Sequence, residues 1–372
     1  MKDFKYWDDQ FKQGKMAAYN ADEHGLLWLK LKSIIRKDVV VRFAKQAGIT
    51  LNQTHLNMVF LELFAALAGD VPKANLLLDA FIRGVSTSQI AATDLDQLVS
   101  ELYKLKYFDW GGDYQNSLDK YLVSRFVKTD NPSYENLLSK FDTEIEPAVR
   151  GYVLNSWYNY WSSVLIENIF KAHPAILPTI GKVKSVDFFI HGIPFDLKVT
   201  YFPSEYLAAE RKAKGLPVEL TFLKQQARDI GVVFDKSADA STIEHEIREK
   251  LKDRNDEDGR NIMDTLQNQN LAILDEAREN SAKLAKWLYE HQGEMRFGAE
   301  NRIYLILVDA NDFSLSWKLK RNINLLRPVI ARYLDKITST GIKHMQVDFT
   351  FKGKTGTFSA LADTIFVVSN QS

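Results

Sequence analysis

Residues 185–200 read SVDFFIHGIPFDLKVT, two alternating runs on either side of His191-Gly192. A two-residue loop ending in glycine between such runs predicts a tight β-hairpin. Its closure fixes the pairing: Ile190 against Ile193, Phe189 against Pro194, Phe188 against Phe195, then Asp187 against Asp196 and Val186 against Leu197. Side chains alternate along a strand, so Val186, Phe188, Ile190, Ile193, Phe195, Leu197 and Val199 share one wholly apolar face. The other face receives Asp187, Asp196 and Lys198. Aspartate is depleted in strands, and directly facing Cβ atoms stand about 4.5–5.5 Å apart, where like charges repel.

The rest of the chain supplies a sheet and its helical cover. Residues 1–150 place apolar residues at three- and four-residue spacing in GLLWLKLKSIIRK, HLNMVFLELFAALAG and LDQLVSELYKL, with breaks at AGDVPK, DWGGDYQ and TDNPSYE. An aromatic-rich helix, YVLNSWYNYWSSVLIENIFKAH, then runs to Pro174 and leads into the hairpin. Next come a charged stretch, REKLKDRNDEDGR, whose DRNDEDG reads as a solvated loop, and one long helix, NIMDTLQNQNLAILDEARENSAKLAKWLYEH. RIYLILV is almost unbroken in apolar character, which predicts a central strand buried on both faces. A helical region over 316–337 precedes two further strands, MQVDFTF and DTIFVVS. The expectation is a helical region over 1–150 and an α/β domain over 151–372.

Composition narrows the chemistry. Lys+Arg and Asp+Glu both number 48, so no global basic field points to nucleic acid and any such surface must be local. Cysteine is absent, which removes disulfides and thiolate metal sites and leaves oxygen and histidine nitrogen as ligands. The seven histidines show no HExxH-type spacing, GKT at 353–355 has Asp348 where a P-loop needs its first glycine, and Arg254 stands where an EF-hand needs its first ligand. The polar N-terminus and the short apolar run MVFLELFAALAG, which carries Glu62, predict a cytoplasmic protein that does not enter a membrane.

Two carboxylates held face to face need a cation between them or a shared proton, and hard divalent cations take oxygen ligands. VDFFIHGIPFDLK resembles the PD-(D/E)xK motif of restriction-endonuclease-like nucleases: an aspartate on one strand, a short hairpin, then Asp-x-Lys on the next. Asp187, Asp196 and Lys198 occupy the motif positions, and Val186 stands in place of the usual proline. The likeness covers about 150–200 closely and 301–370 in outline. It implies an α/β fold with a mixed sheet flanked by helices, Mg²⁺ or Mn²⁺ as cofactor, and hydrolysis of phosphodiesters in double-stranded DNA by a type II restriction endonuclease or related defence nuclease. In that family the helix before the first motif strand bears an acidic residue, and Glu167 is the match. The resemblance implies that Asp187 and Asp196 hold the metal, that Glu167 completes its shell or positions the water, and that Lys198 orients the water or stabilises phosphate charge. The N-terminal helices are then expected to recognise the target or to form a homodimer. The alternative is a non-catalytic regulator that binds nucleic acid on the same fold.

Phosphate contacts need lysine and arginine. WKLKRNINLLRPVIARYLDK offers Lys318, Lys320, Arg321, Arg327 and Arg332, and AERKAKG offers Arg211, Lys212 and Lys214. These residues are the expected DNA track; the competing reading is a solvated helix face. RFAKQAGITLNQTHLNMVF has Ala44, Gly48 and Ile49 where a helix-turn-helix would, yet Thr54 and Asn57 where that motif packs apolar residues, so a plain helical hairpin is expected.

Overall fold

The computed structural model describes residues 2–107, 118–128, 133–291, 299–351 and 353–370. The proposed breaks at DWGGDYQ and over the first part of TDNPSYE lie outside the described residues.

The hairpin organises the sheet. His191 and Gly192 both have positive φ, 48° and 82°, the left-handed pair that a type I′ turn requires and that glycine supplies without strain. The ring of His191 also reaches the Ile337 carbonyl at 3.1 Å, tying the turn to a distant loop. Six strands follow in chain order: β1 (Ile176–Val183), β2 (Val186–Ile190), β3 (Ile193–Tyr201), β4 (Arg302–Asp309), β5 (Gln346–Phe349) and β6 (Phe358–Ser369). They lie in the order β1-β2-β3-β4-β6-β5. The strands β1, β2 and β3 form an antiparallel meander, β3, β4 and β6 run parallel, and β5 returns antiparallel at the far edge.

Nine helices precede the sheet: α1 (Phe4–Lys12), α2 (Glu23–Ile34), α3 (Lys37–Ala47), α4 (Leu56–Leu67), α5 (Val71–Ala91), α6 (Leu95–Leu102), α7 (Leu118–Leu122), α8 (Tyr134–Ser139) and α9 (Glu146–Lys171), counted among the described residues. Between β3 and β4 lie α10 (Ser204–Ala213), α11 (Glu219–Asp229), α12 (Ala240–Arg254), α13 (Glu257–Glu279) and α14 (Ser281–His291). A 3₁₀ segment, Phe313–Arg321, then α15 (Ile323–Lys336) and α16 (Ser339–Lys343), connect β4 to β5. The molecule is thus α/β with a mixed six-stranded sheet flanked by helices. Among the described residues, no helix is long and apolar enough to cross a membrane.

Strand β4 behaves as its sequence predicts. Ile303, Leu305 and Leu307 pack with Phe170 of α9 and Leu326 and Ile330 of α15, whereas Tyr304, Ile306 and Val308 pack with Leu274 of α13 and Leu288 of α14. Covering both faces removes the need for polar alternation. Phe188, Ile190, Phe195 and Leu197 join the first of these clusters, as the hairpin pattern requires. Val186 departs from it. With Phe189, Leu177 and Val183 it packs into the cluster built by α1–α5 around Trp7 and Trp28. The break in alternation coincides with a register shift between β1 and β2, from Pro178–Phe188 to Val183–Val186.

Other local expectations need correction. The strand β1 is absent from the sequence reading because Pro178 and Gly181 interrupt it; the edge of a sheet is where a strand tolerates proline. The single long helix is two, parted at Asn280, whose side chain accepts the Lys283 amide and caps α14. DRNDEDG is not a solvated loop: Asn255 turns the chain with φ 49°, and Asp256 caps α13 by accepting the Gly259 amide at 2.8 Å. The segment over 316–337 opens as 3₁₀ rather than α-helix.

Candidate active site

The hairpin pairs as predicted through Phe188–Phe195, Phe189–Pro194 and Ile190–Ile193. The ladder ends there, one pair short of Asp187 and Asp196. From Asp196 onward β3 pairs with β4 instead, Asp196 lying opposite Arg302 and Lys198 opposite Tyr304. Asp187 sends its own carboxylate across, Oδ2 accepting the Leu197 amide at 2.7 Å. A continued ladder would have given that amide to the carbonyl of Val186, so a side chain replaces a backbone acceptor. Thr179 Oγ1 donates to the Asp187 carbonyl at 3.0 Å and anchors this departure to β1.

The two aspartates therefore sit side by side in different surroundings. Asp187 is half-buried, and burial pushes its carboxyl up to about 6; Asp196 and Glu167 push the same way, while the Leu197 amide and Lys198 oppose them. Asp196 is buried and surrounded by cations. Lys198 Nζ lies 3.2 Å from its Oδ1 and 3.1 Å from its Oδ2, and Arg302 Nε donates to Oδ2 at 3.2 Å. Arg302 continues the chain, its Nη2 donating to Glu300 Oε2 at 2.9 Å, and Glu300 Oε1 accepts from Ser185 Oγ at 2.9 Å. The Arg302 guanidinium also lies 5.0 Å from the centre of the Tyr289 ring. Ser185 has φ 68°, a left-handed conformation that costs a non-glycine residue energy and here places its hydroxyl against Glu300.

Asp187, Asp196 and Lys198 are thus brought together on adjacent strands. Glu167 is close enough to raise Asp187, but its Oε2 accepts from Lys171 Nζ at 2.8 Å, one turn along α9. Among the described residues, no group of three histidine or carboxylate side chains is assembled in metal-ligand geometry. The donor chemistry nonetheless suits a hard divalent cation. Asp187 Oδ1 has no hydrogen-bond partner among the described residues, and the upward pressure on that carboxyl is what a nearby cation relieves. Arg302 and Glu300 went unrecognised in sequence. They are charged residues just before an apolar run, where they look like a strand boundary.

The expected DNA track divides. Arg211 is fully buried and donates to the Pro217 carbonyl, Asn270 Oδ1 and Gln269 Oε1 at 2.7–2.8 Å. Lys320 is buried against Tyr201 and donates to Asn159 Oδ1 at 2.8 Å, and burial lowers its ammonium to about 8. Arg321 is buried between Tyr103 and Trp317 and donates to the carbonyls of Leu102 and Leu105 at 2.9 and 2.6 Å. These three are structural tethers and cannot meet a phosphate in this arrangement. Lys318 is half-buried beside Trp317, while Lys212, Lys214, Arg327 and Arg332 are exposed.

No family model matches the chain, and no curated protein or solved structure matches it significantly.

Proposed function

We propose that the protein is a metal-dependent endonuclease of the restriction-endonuclease-like fold, hydrolysing phosphodiesters in double-stranded DNA. The observation that carries this reading is the convergence of the Asp187 carboxylate with the Asp196–Lys198 pair at the point where β3 exchanges an antiparallel neighbour for a parallel one. The order helix, three-stranded meander, crossover and parallel strand is compatible with that fold.

Asp187 and Asp196 would hold Mg²⁺ or Mn²⁺, which supplies Lewis acidity and an acidified water. Arg302 holds Oδ2 of Asp196, and Lys198 straddles both of its oxygens. Lys198, relieved of part of that ion pair, would turn its ammonium to the phosphate oxygens, where charge grows as the bond breaks. Glu167 would join by giving up its bond to Lys171. A type II restriction role follows from the family likeness alone. The test is incubation with plasmid DNA, and with RNA, in Mg²⁺ or Mn²⁺, followed by sequencing of any ends; wild type should cut DNA, and Asp196→Asn and Lys198→Ala should not.

One observation favours a second reading. Asp196 already has cations on both oxygens, and a site so neutralised suits a regulator that binds nucleic acid without cutting it. DNA binding with no cleavage under either metal would select that reading.

A further inference from the structure

Beyond the carboxyl ends of the parallel strands β3 and β4 the chain departs in opposite directions. From Tyr201 it passes to α10, whose Tyr206 and Leu207 pack on the face of Tyr304 and Ile306. From Asp309 it passes through the 3₁₀ segment to α15, whose Leu326 and Ile330 pack on the face of Leu305 and Leu307. Neighbouring parallel strands whose connections part in this way leave a crevice at their carboxyl ends, the usual ligand position in an open α/β sheet. Here the crevice is a cavity of about 640 Å³, a size common among small-molecule sites.

Its walls differ in character. Tyr201, Phe202, Phe313 and Trp317 supply aromatic surface. Opposite them Arg248 is clamped between Glu219 Oε1, at 3.0 Å, and Glu244 Oε1, at 2.8 Å. Asn270 links this clamp to the buried Arg211, donating to Glu219 at 2.9 Å and accepting from Arg211 at 2.7 Å. Glu219 and Glu244 spend only Oε1 on these bonds, which leaves Oε2 of each to accept from a ligand. With Asp312 also in the lining, three carboxylates face one guanidinium, and the cavity is net negative. Such a site repels phosphate and favours a neutral planar ring that stacks and donates N–H. Thr200, at its rim, follows Lys198 by two residues on the same face of β3, a distance of about 7 Å.

We propose that this cavity is a nucleobase site: it takes an amine-bearing base, stacked on the aromatic wall and donating to Glu219 or Glu244, with the attached phosphate kept outside toward Lys198. That the ligand is a nucleotide unit rests on the hydrolase reading above; the preference for a neutral N–H-donating ring over an anion rests on the cavity alone. The base comes either from a free nucleoside or from a polynucleotide that everts it.

The experiment uses the full-length protein without divalent cation, so that nothing is cut. Calorimetric titration with adenosine, purine riboside and ribose 5-phosphate reads the free-nucleoside arm. Permanganate reactivity of unpaired thymine, mapped by sequencing over sheared genomic DNA, reads the everted-base arm. At least tenfold tighter binding of adenosine than of purine riboside or ribose 5-phosphate, lost in Ser314→Trp and levelled in Glu244→Gln, assigns a free nucleoside. Discrete sites of at least fivefold raised permanganate reactivity, lost in Ser314→Trp, assign an everted base. Ser314 is exposed at the cavity mouth, so the tryptophan fills space without disturbing the core. Neither response, or ribose 5-phosphate bound as tightly as adenosine, overturns the proposal. Plasmid cleavage with neither response overturns it while sparing the hydrolase; base binding without cleavage in Mg²⁺ or Mn²⁺ retains it and overturns the hydrolase.

Discussion

Two charged stretches, the hairpin 185–200 and the basic stretch 318–332, invite similar functional readings, and the structure treats them differently. The hairpin's Asp187, Asp196 and Lys198 meet, while the basic stretch turns Lys320 and Arg321 inward and leaves Arg327 and Arg332 outside. The difference lies in what local geometry dictates. Strand alternation and a two-residue turn fix which side chains share a face. A run of basic residues carries no such rule when the backbone passes from 3₁₀ to α at Asn322, because the change of period rotates each side chain away from its α-helical position.

The comparison breaks most visibly at catalysis. Asp196→Asn and Lys198→Ala should each reduce DNA cleavage at least about 100-fold, as loss of a preorganised charged group does. Charge reversal at Arg327 should leave the chemical step intact. Single-turnover rates with saturating enzyme measure both. Wild-type rates in either hairpin variant would remove that residue from the mechanism.

Next in size is Arg321→Ala. It strands the buried Leu102 carbonyl and the half-buried Leu105 carbonyl and removes contacts with Tyr103 and Trp317, so it should cost about 3 kcal/mol in urea unfolding. An exposed DNA contact would cost almost nothing.

Asp187→Asn should act in the opposite direction. Below about pH 4 Asp187 is protonated in the folded and unfolded chain alike; as pH rises the unfolded chain loses that proton first, while the folded one keeps it until about 6. The stabilising contribution of the protonated group is therefore lost as pH rises through 6. Asparagine does not titrate, so the variant should gain about 3 kcal/mol over wild type at pH 8 and nothing at pH 4. Mg²⁺ near a hundredfold its dissociation constant should return about 2.7 kcal/mol to wild type and less to the variant. Thermal melts across pH, with and without metal, decide the matter. An unchanged difference between pH 4 and 8 would show that burial does not govern this carboxyl.

The smallest expected effect is the most specific. Arg327→Glu should flatten the logarithmic dependence of DNA affinity on salt by about one unit if Arg327 meets a phosphate. Lys320→Met should leave the slope unchanged.

Where a local rule applied, the sequence was informative. The type I′ turn, the three hairpin pairs and the doubly buried β4 follow from alternation, turn chemistry and an unbroken apolar run. What escaped depends on partners remote in the chain. Arg302 meets Asp196 only because β4 lies parallel to β3, and no local pattern sets that register. The cavity draws its lining from segments near 200, 219, 245, 267 and 312. Asp187 shows the boundary within one residue: its strand and neighbours were legible, but its carboxylate's capture of the Leu197 amide overrode the ladder that alternation predicts.

Gly181 carries a consequence for inheritance. A Cβ at that position would lie 2.8 Å from the Ser33 carbonyl, so α2 rests directly on the backbone of β1. The same strand holds the Asp187 carbonyl through Thr179, and Leu177, Val183, Val186 and Phe189 share one apolar cluster with α1–α5. A lineage carrying this chain cannot exchange its N-terminal helices for another module by simple gene fusion. A newcomer would have to reproduce the close approach at residue 181 and cover four apolar side chains of β1 and β2. Substitutions in α2 are thereby constrained by a strand that also anchors the Asp187 backbone.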